Sequence, residues 1–284
     1  MEYTFGELLG SGAGSDVYAY GDDKVCKLYK QGVDSAEYEY KITLDAYQKG
    51  LPAPKVYEII EHNGRFGIIM ERMKGMSWMS IMLENITSCN LKGMSNQEIF
   101  YSAANIDLIK NTAKIIYNLH QKKCDLIETA KGSLTAACKY NAYLNDEEKN
   151  MIYARIEALP DGDSVCHGDP NPGNFISQNE KVYIIDWNNC VTGHAMYDIA
   201  EYILMMQYAD VSIQLPKHIM HFISECKNDF GKVFLDEYIK LSHMDLTGME
   251  MWFVPLLVSK MGGNNSPEKQ SRLLKDIRQR LFEA

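Results

Sequence analysis

The stretch Val165-Cys-His-Gly-Asp-Pro-Asn-Pro-Gly-Asn-Phe-Ile176, followed by Val182-Tyr-Ile-Ile-Asp-Trp187, decides how this chain is read. It sets His167, Asp169 and Asn174 on one short loop and Asp186 at the end of an apolar strand just beyond. Asn171-Pro-Gly-Asn174 alone reads as turns, and Asp186-Trp187 alone carries no signal. At this spacing they combine into a carboxylate, an amide oxygen and a second carboxylate. Such oxygens are the donors that a Mg²⁺ ion carrying phosphate ligands requires.

Bulk properties narrow the class. A chain of 284 residues with 46% hydrophobic content can bury a full core, as one large domain or two lobes. The net charge of −9 argues against a general nucleic-acid or anionic-membrane binder, because both need a basic face. The seven cysteines are scattered and odd in number, with no C-x-x-C pair, so we expect reduced thiols and neither a disulfide framework nor a zinc site. Cys166, beside the loop, reads as a small buried filler. The N-terminus shows no basic flank or apolar run, and no stretch approaches the roughly 18 apolar residues of a membrane helix. The expectation is a cytoplasmic protein with no membrane and no nucleic-acid partner.

Outward from the loop, the first 73 residues read as β-β-β-α-β-β. The strands are Thr4 to Leu9, Asp16 to Tyr20, Lys24 to Tyr29, Lys55 to Glu61 and Phe66 to Met73. A helix capped by Asp34 or Ser35 runs to about Lys49, stopped by Gly50 and Pro52, and Asn63-Gly64 is a hairpin turn. After Gly75 helical patterns dominate: Ser77 to Glu84, Ile106 to Gln121, Asp146 to Leu159, Met196 to Ala209, Pro216 to Phe230, and a terminal helix within Ser266 to Ala284. A β-hairpin, Asn174 to Ser177 with Lys181 to Trp187, interrupts them. The stretch from Thr87 to Asn105 shows no clear period. The fold class expected is α+β: a small β-rich lobe, residues 1–73, and a larger mostly helical lobe, residues 74–284. Ligands commonly bind in clefts between lobes.

The step of five from Asp169 to Asn174, with His167 two before Asp169, resembles the protein-kinase catalytic loop H-R-D-x-x-x-x-N. Gly10-Ser-Gly-Ala-Gly-Ser-Asp-Val-Tyr18 lies between the first two strands, where glycines let backbone approach phosphate. Gly10, Ser11, Gly12 and Gly14 are the candidate contacts, and Ser15 stands where a G-x-G-x-x-G loop has its third glycine. Lys27 lies on the third strand, where the kinase template places its phosphate lysine. Glu39 on the following helix is its candidate partner, with Glu37 the alternative. Ile68-Ile-Met-Glu-Arg-Met73 would run past the purine, and Glu71, Met73, Met70 and Ile69 are candidates to line it. No G-x-x-x-x-G-K-[ST] occurs, and the glycines do not open a βαβ helix, so neither a P-loop nor a dinucleotide site is read.

Taken together, the chain resembles the aminoglycoside phosphotransferase and choline kinase family, of protein-kinase-like fold, over about residues 4 to 205. The residues carrying the resemblance include Gly10 to Tyr18, Lys27, Glu39, Ile69-Met-Glu-Arg-Met-Lys-Gly75, Leu119-His120, His167-Gly-Asp169, Asn174, Ile185-Asp-Trp187 and Gly193 with Asp198. The resemblance implies that Asp169 takes or orients the proton of an acceptor hydroxyl and that Asn174 and Asp186 hold Mg²⁺ on the phosphates. It implies that Lys27 binds the α- and β-phosphates of ATP or GTP, that His167 supports the loop, and that Asp198 anchors it. The implied activity is phosphoryl transfer to a hydroxyl of a small molecule, which needs mainly positioning and charge neutralisation.

Two rival readings stay open from the residues. A protein kinase is disfavoured by the eleven residues between Asp186 and Asp198 and by the lack of D-F-G and A-P-E. A non-catalytic nucleotide-binding module is disfavoured because every chemical residue is present. The acceptor is open. A cationic molecule such as an aminoglycoside, choline or ethanolamine would use an acidic or aromatic lining, and homoserine or a sugar would not. Trp187, Trp252, Phe253, Tyr202 and Tyr208 are the aromatic candidates; Glu201, Asp210, Glu250 and Asp245 are the acidic ones.

Overall fold

A computed structural model describes residues 3–282 apart from 13, 31–32, 180, 209–214 and 263–264. Contacts divide the chain into two compact units, Met1–Ser77 with Gly173–Cys190, and Trp78–Pro172 with Val191–Ala284. The expected α+β architecture is present: an antiparallel sheet in the first unit and mostly helix in the second.

The first unit is built on β1 (Leu8–Ser11), β2 (Ser15–Tyr20), β3 (Lys24–Tyr29), β4 (Val56–His62) and β5 (Arg65–Glu71), in the order β1-β2-β3-β5-β4. Strand alternation gives the sheet two faces. From β3, Val25 and Tyr29 join Ala36, Val56, Ile68 and Met70 on one side. Cys26 and Leu28 join Ile60, Ile69 and an aromatic group containing Phe5, Tyr18 and Tyr20 on the other. Lys27 shares the parity of Val25 and Tyr29 and therefore faces helix α1 (Val33–Gln48).

Helix α1 buries Ala36, Glu39, Ile42, Thr43 and Ala46, the i, i+3, i+4 stripe of a helix on a sheet. It ends in a Schellman motif: Gly50, at φ +73°, donates to Tyr47, and Leu51 donates to Ala46. Asn63 and Gly64, both at positive φ, make the tight turn between β4 and β5, as the sequence predicts.

Strand β6 (Met76–Ser77) pairs with β8 (Phe175–Gln178), which pairs with β9 (Lys181–Ile184), so the late hairpin belongs to the first unit. Glycine is demanded at position 75. A Cβ there would sit 1.7 Å from the Ser177 carbonyl oxygen.

The second unit holds α2 (Trp78–Leu91), α3 (Asn96–Phe100), α4 (Ala103–His120), α5 (Ala130–Lys139), α6 (Asp146–Ala158), α7 (Met196–Gln207), α8 (Lys217–Ser242), α9 (Phe253–Lys260) and α10 (Pro267–Phe282), with the short pair β7 (Ser164–Cys166) and β10 (Val191–Gly193). One continuous core draws Leu134, Ile152, Tyr197, Leu204, Trp252, Leu257 and Ile277 from α5, α6, α7, the turn before α9, α9 and α10.

Two expectations are corrected here. The aperiodic stretch from Thr87 to Asn105 is helical for most of its length: α2 continues to Leu91, closes at Gly93 (φ +77°), and α3 starts from a capping box between Ser95 and Glu98. Helix α8 does not stop at Phe230. Gly231 lies inside it because a side chain there would meet Ile203 Cδ1 of α7 at 3.0 Å, so glycine permits close helix packing instead of ending the helix. No described helix is long and apolar enough to cross a membrane.

Candidate active site

In the first unit, β1 and β2 carry the glycine-rich loop. Gly12 N–H donates to the Ser15 carbonyl, and the register Ser11↔Asp16 closes the turn. The backbone at Gly10 and Gly14 faces open space: a methyl added at either would meet no described atom within 4 Å beyond its chain neighbours. The loop is braced from outside. Ser11 Oγ donates to Asp16 at 2.7 Å, Arg65 Nη2 donates to Asp16 at 2.8 Å, and Lys30 Nζ donates to the Gly12 carbonyl at 2.6 Å. The Ser11 hydroxyl, then Arg65, depress the Asp16 carboxyl to about 2. Asp16 and Arg65 escaped the sequence reading of the site, because only the sheet brings Arg65, on β5, onto Asp16, 49 residues before it.

Lys27 Nζ lies 2.7 Å from the Glu39 carboxylate and 3.1 Å from Asp186 Oδ1. Burial presses the Lys27 pKa down, but Glu39 and Asp186 more than reverse this, so it is raised overall and the ammonium stays charged. Of the two glutamates weighed for this role, Glu39 is the buried one and makes the contact, while Glu37 is exposed and pairs with Lys41. Tyr29 Oη also donates to Glu39.

Asn174 and Asp186 flank the open end of the β8–β9 hairpin. Asn174 closes a 3-10 turn, Phe175 pairs with Ile184, and Ile185 N–H donates to the Asn174 carbonyl at 2.9 Å. Asp186 has φ +62°, a left-handed backbone that a non-glycine residue adopts only where its surroundings hold it. Asn188, two residues on, donates to both Glu39 and Asp186.

Asp169 and His167 lie in the second unit. Gly168 takes φ +76° between them. Asp198 receives the N–H of His167 at 2.8 Å on one oxygen and the N–H of Gly168 at 2.7 Å on the other. His120 Nε2 lies 3.1 Å from Asp198, and its Nδ1 lies 2.6 Å from Tyr238 Oη. His167 is fully buried, with Nδ1 3.0 Å from the Asp169 carbonyl. His120, Cys166 and Asp198 are close enough together to suggest a metal trio, but Asp198 and His120 are bonded as above and Cys166 donates to carbonyls of Ser164 and His194. The cluster reads as a hydrogen-bonded anchor.

Glu71 ends β5, where its N–H donates to the Lys55 carbonyl and its carboxylate accepts the Lys55 N–H. The Arg72 N–H goes to Asp23, and Met73 follows half-buried. Trp187 and Tyr202 are fully buried and Trp252 is 1% exposed, so these three pack the core and form no exposed cage. Asp245 accepts from Thr247 in a local turn, and Asp210 lies outside the described residues. Glu201 is buried and ion-paired with Lys260. Burial raises its pKa to about 7, with Lys260 opposing and Asp169 adding to the rise.

Residues 120–215 match the model of the Phosphotransferase enzyme family, the segment that contains His167, Asp169, Asn174, Asp186 and Asp198. No curated protein matches the chain by sequence. Among solved structures, aminoglycoside-3'-phosphotransferase of type VIII is 18% identical, with a TM-score of 0.56 over 90% of this chain and 92% of its own. A thermostable mutant of aminoglycoside phosphotransferase APH(4)-Ia, in ternary complex with AMP-PNP and hygromycin B, is 13% identical, with a TM-score of 0.59 over 97% and 94%. The GDP and kanamycin complex of APH(2")-IIia is 12% identical, with a TM-score of 0.54 over 98% and 93%. The resemblance read from the motifs is borne out in the catalytic segment and in the fold, and with it an enzyme of the phosphotransferase class.

Proposed function

We propose that this protein transfers the terminal phosphoryl group of ATP or GTP, with Mg²⁺, to a hydroxyl of a small and cationic molecule, in the manner of an aminoglycoside phosphotransferase. The observation that carries the reading is the convergence of Lys27 on Glu39 and Asp186 within one unit, from sequence positions 159 residues apart for Lys27 and Asp186. An ammonium already beside Asp186 Oδ1 marks that oxygen as a cation site. The amide and carboxylate oxygens of Asn174 and Asp186 are the hard donors that suit Mg²⁺. When bound, the ion would neutralise charge on the phosphates.

The remaining work falls to the chain's own residues. Lys27, held extended by Glu39, offers its ammonium to phosphate oxygens. The braced loop from Gly10 to Gly14 brings backbone close to them. Asp169 accepts or orients the proton of the acceptor hydroxyl, a role worth roughly 10²–10⁴-fold. Asp198 and His167 fix the backbone that carries it. A cationic acceptor is favoured by the hygromycin B and kanamycin bound to the structural relatives. The reading also places the enzyme in the cytoplasm.

The test is nucleotide turnover with Mg²⁺ against several aminoglycosides, choline, ethanolamine, homoserine and a methylthio-sugar, with Asp169→Ala as control. Turnover stimulated by an acceptor and lost in Asp169→Ala, with ATP binding kept, is expected. Normal turnover by Asp169→Ala would sink the assignment of the base. Nucleotide binding with no stimulation by any acceptor would favour a binding module.

A further inference from the structure

Asn188 occupies a place that neither the motif nor the metal-ligand pair explains. It sits in a 3-10 turn, residues 187–189, directly after the left-handed Asp186. Its Nδ2 lies 2.7 Å from Glu39 Oε2 and 2.9 Å from Asp186 Oδ1. Lys27 bridges the same two carboxylates. The amide orientation follows from chemistry, since ionised carboxylates only accept and the NH₂ group must face them.

We propose that Asn188 is a positioning residue that keeps Glu39 and Asp186 in register while Lys27 exchanges its hold on Asp186 for nucleotide phosphate. This rests on the phosphotransferase reading. Lys27 is drawn to phosphate because it is a cation, so its bond to Asp186 is the one a nucleotide competes for. The Asn188 amide is neutral, has no such competitor, and its two hydrogens match two acceptors. Without it, Glu39 and Asp186 would face each other with only one shared donor, and like charges at close range repel. Asn188 thus links the lysine-aligning glutamate on α1 to the metal-side aspartate after β9.

The test is calorimetric titration with AMP-PNP, once with saturating Mg²⁺ and once in EDTA, on the wild type, Asn188→Ala and the near-isosteric Asn188→Leu, with melting curves of each free protein. Both variants should stay folded and melt at a lower temperature than the wild type, because two hydrogen bonds to carboxylates are lost. Their affinity for AMP-PNP with Mg²⁺ should weaken about tenfold, the scale of hydrogen bonds to charged groups, and their affinity in EDTA by under about threefold. Three results would each overturn the proposal: Mg²⁺-dependent affinity within about twofold of wild type, equal loss with and without Mg²⁺, or loss of the folded state in both variants. A wild type that binds no AMP-PNP with Mg²⁺ would refute the phosphotransferase reading itself, whatever Asn188 does.

Discussion

Asp198 holds Gly168 in the left-handed region by accepting its N–H at 2.7 Å, one residue before Asp169. The bond explains a backbone shape that a side chain at this position would resist. Gly168→Ala should cost about 1–2 kcal/mol from the left-handed penalty. Asp198→Ala orphans two buried N–H groups at about 1–3 kcal/mol each and should cost more. Urea unfolding reads both, and turnover should fall further in Asp198→Ala than nucleotide affinity does. Equal stability of Asp198→Ala and wild type would remove the anchor.

Lys27 matters to folding as well as to the proposed nucleotide site. Glu39 is 2% exposed, so Lys27→Met strands a buried carboxylate, a change that typically costs about 3–5 kcal/mol. Pairing it with Glu39→Gln should recover part of that loss while nucleotide binding stays weak. A double-mutant cycle by thermal melting checks this; simple additivity of the two changes would show that the pair is not coupled.

Glu201 should leave a mark on the pH dependence of stability. Its carboxyl, near 4.5 in an unfolded chain, rises to about 7 in the fold, chiefly from burial. The folded state therefore holds the proton more tightly. Its contribution is fully present below about 4.5 and is lost as pH rises through about 7. Melting temperature measured at pH 5 and pH 8 should drop with rising pH in the wild type, and the drop should shrink in Glu201→Gln. An unchanged drop would assign it to other groups.

Gly75→Ala drives a methyl into the Ser177 carbonyl, where 1.7 Å separates them in the present geometry. Backbone must shift, at a cost of about 1–3 kcal/mol for overpacking. The pairing of β6 with β8 should loosen, and hydrogen exchange at Ser77 and Ile176 should quicken. Native-like protection at those amides would show that the strand pair tolerates the methyl.

The residues proposed for the chemistry stand out in the sequence because their signals are local. A loop step of five, a strand-end aspartate and a lysine on an apolar strand can each be read within a dozen residues. Glu39 could be chosen over Glu37 only in the resemblance; the structure separates them by burial. What escaped was of two kinds. In the stretch after Thr87, Gly93 as a helix end and the Ser95–Glu98 capping box were present in the sequence but were outweighed by the lack of hydrophobic period. Helix α8 runs past Phe230 because Gly231, a poor helix former by propensity, is a packing residue by context. Asn188 had no local signal. Its partner Glu39 is 149 residues away, and only the fold joins them.

The first unit is assembled from two stretches of chain, residues 1–77 and 173–190, with 78–172 passing through the second unit between them. A ribosome therefore releases the sheet, Lys27 and Glu39 long before it releases Asp186 and Asn188. Until then Glu39 has a lysine but no amide, and the lysine has no aspartate. Contacts of such sequence separation close late and slowly. The proposed nucleotide site should accordingly be completed in a single late step of biosynthesis, after the β8–β9 hairpin has emerged.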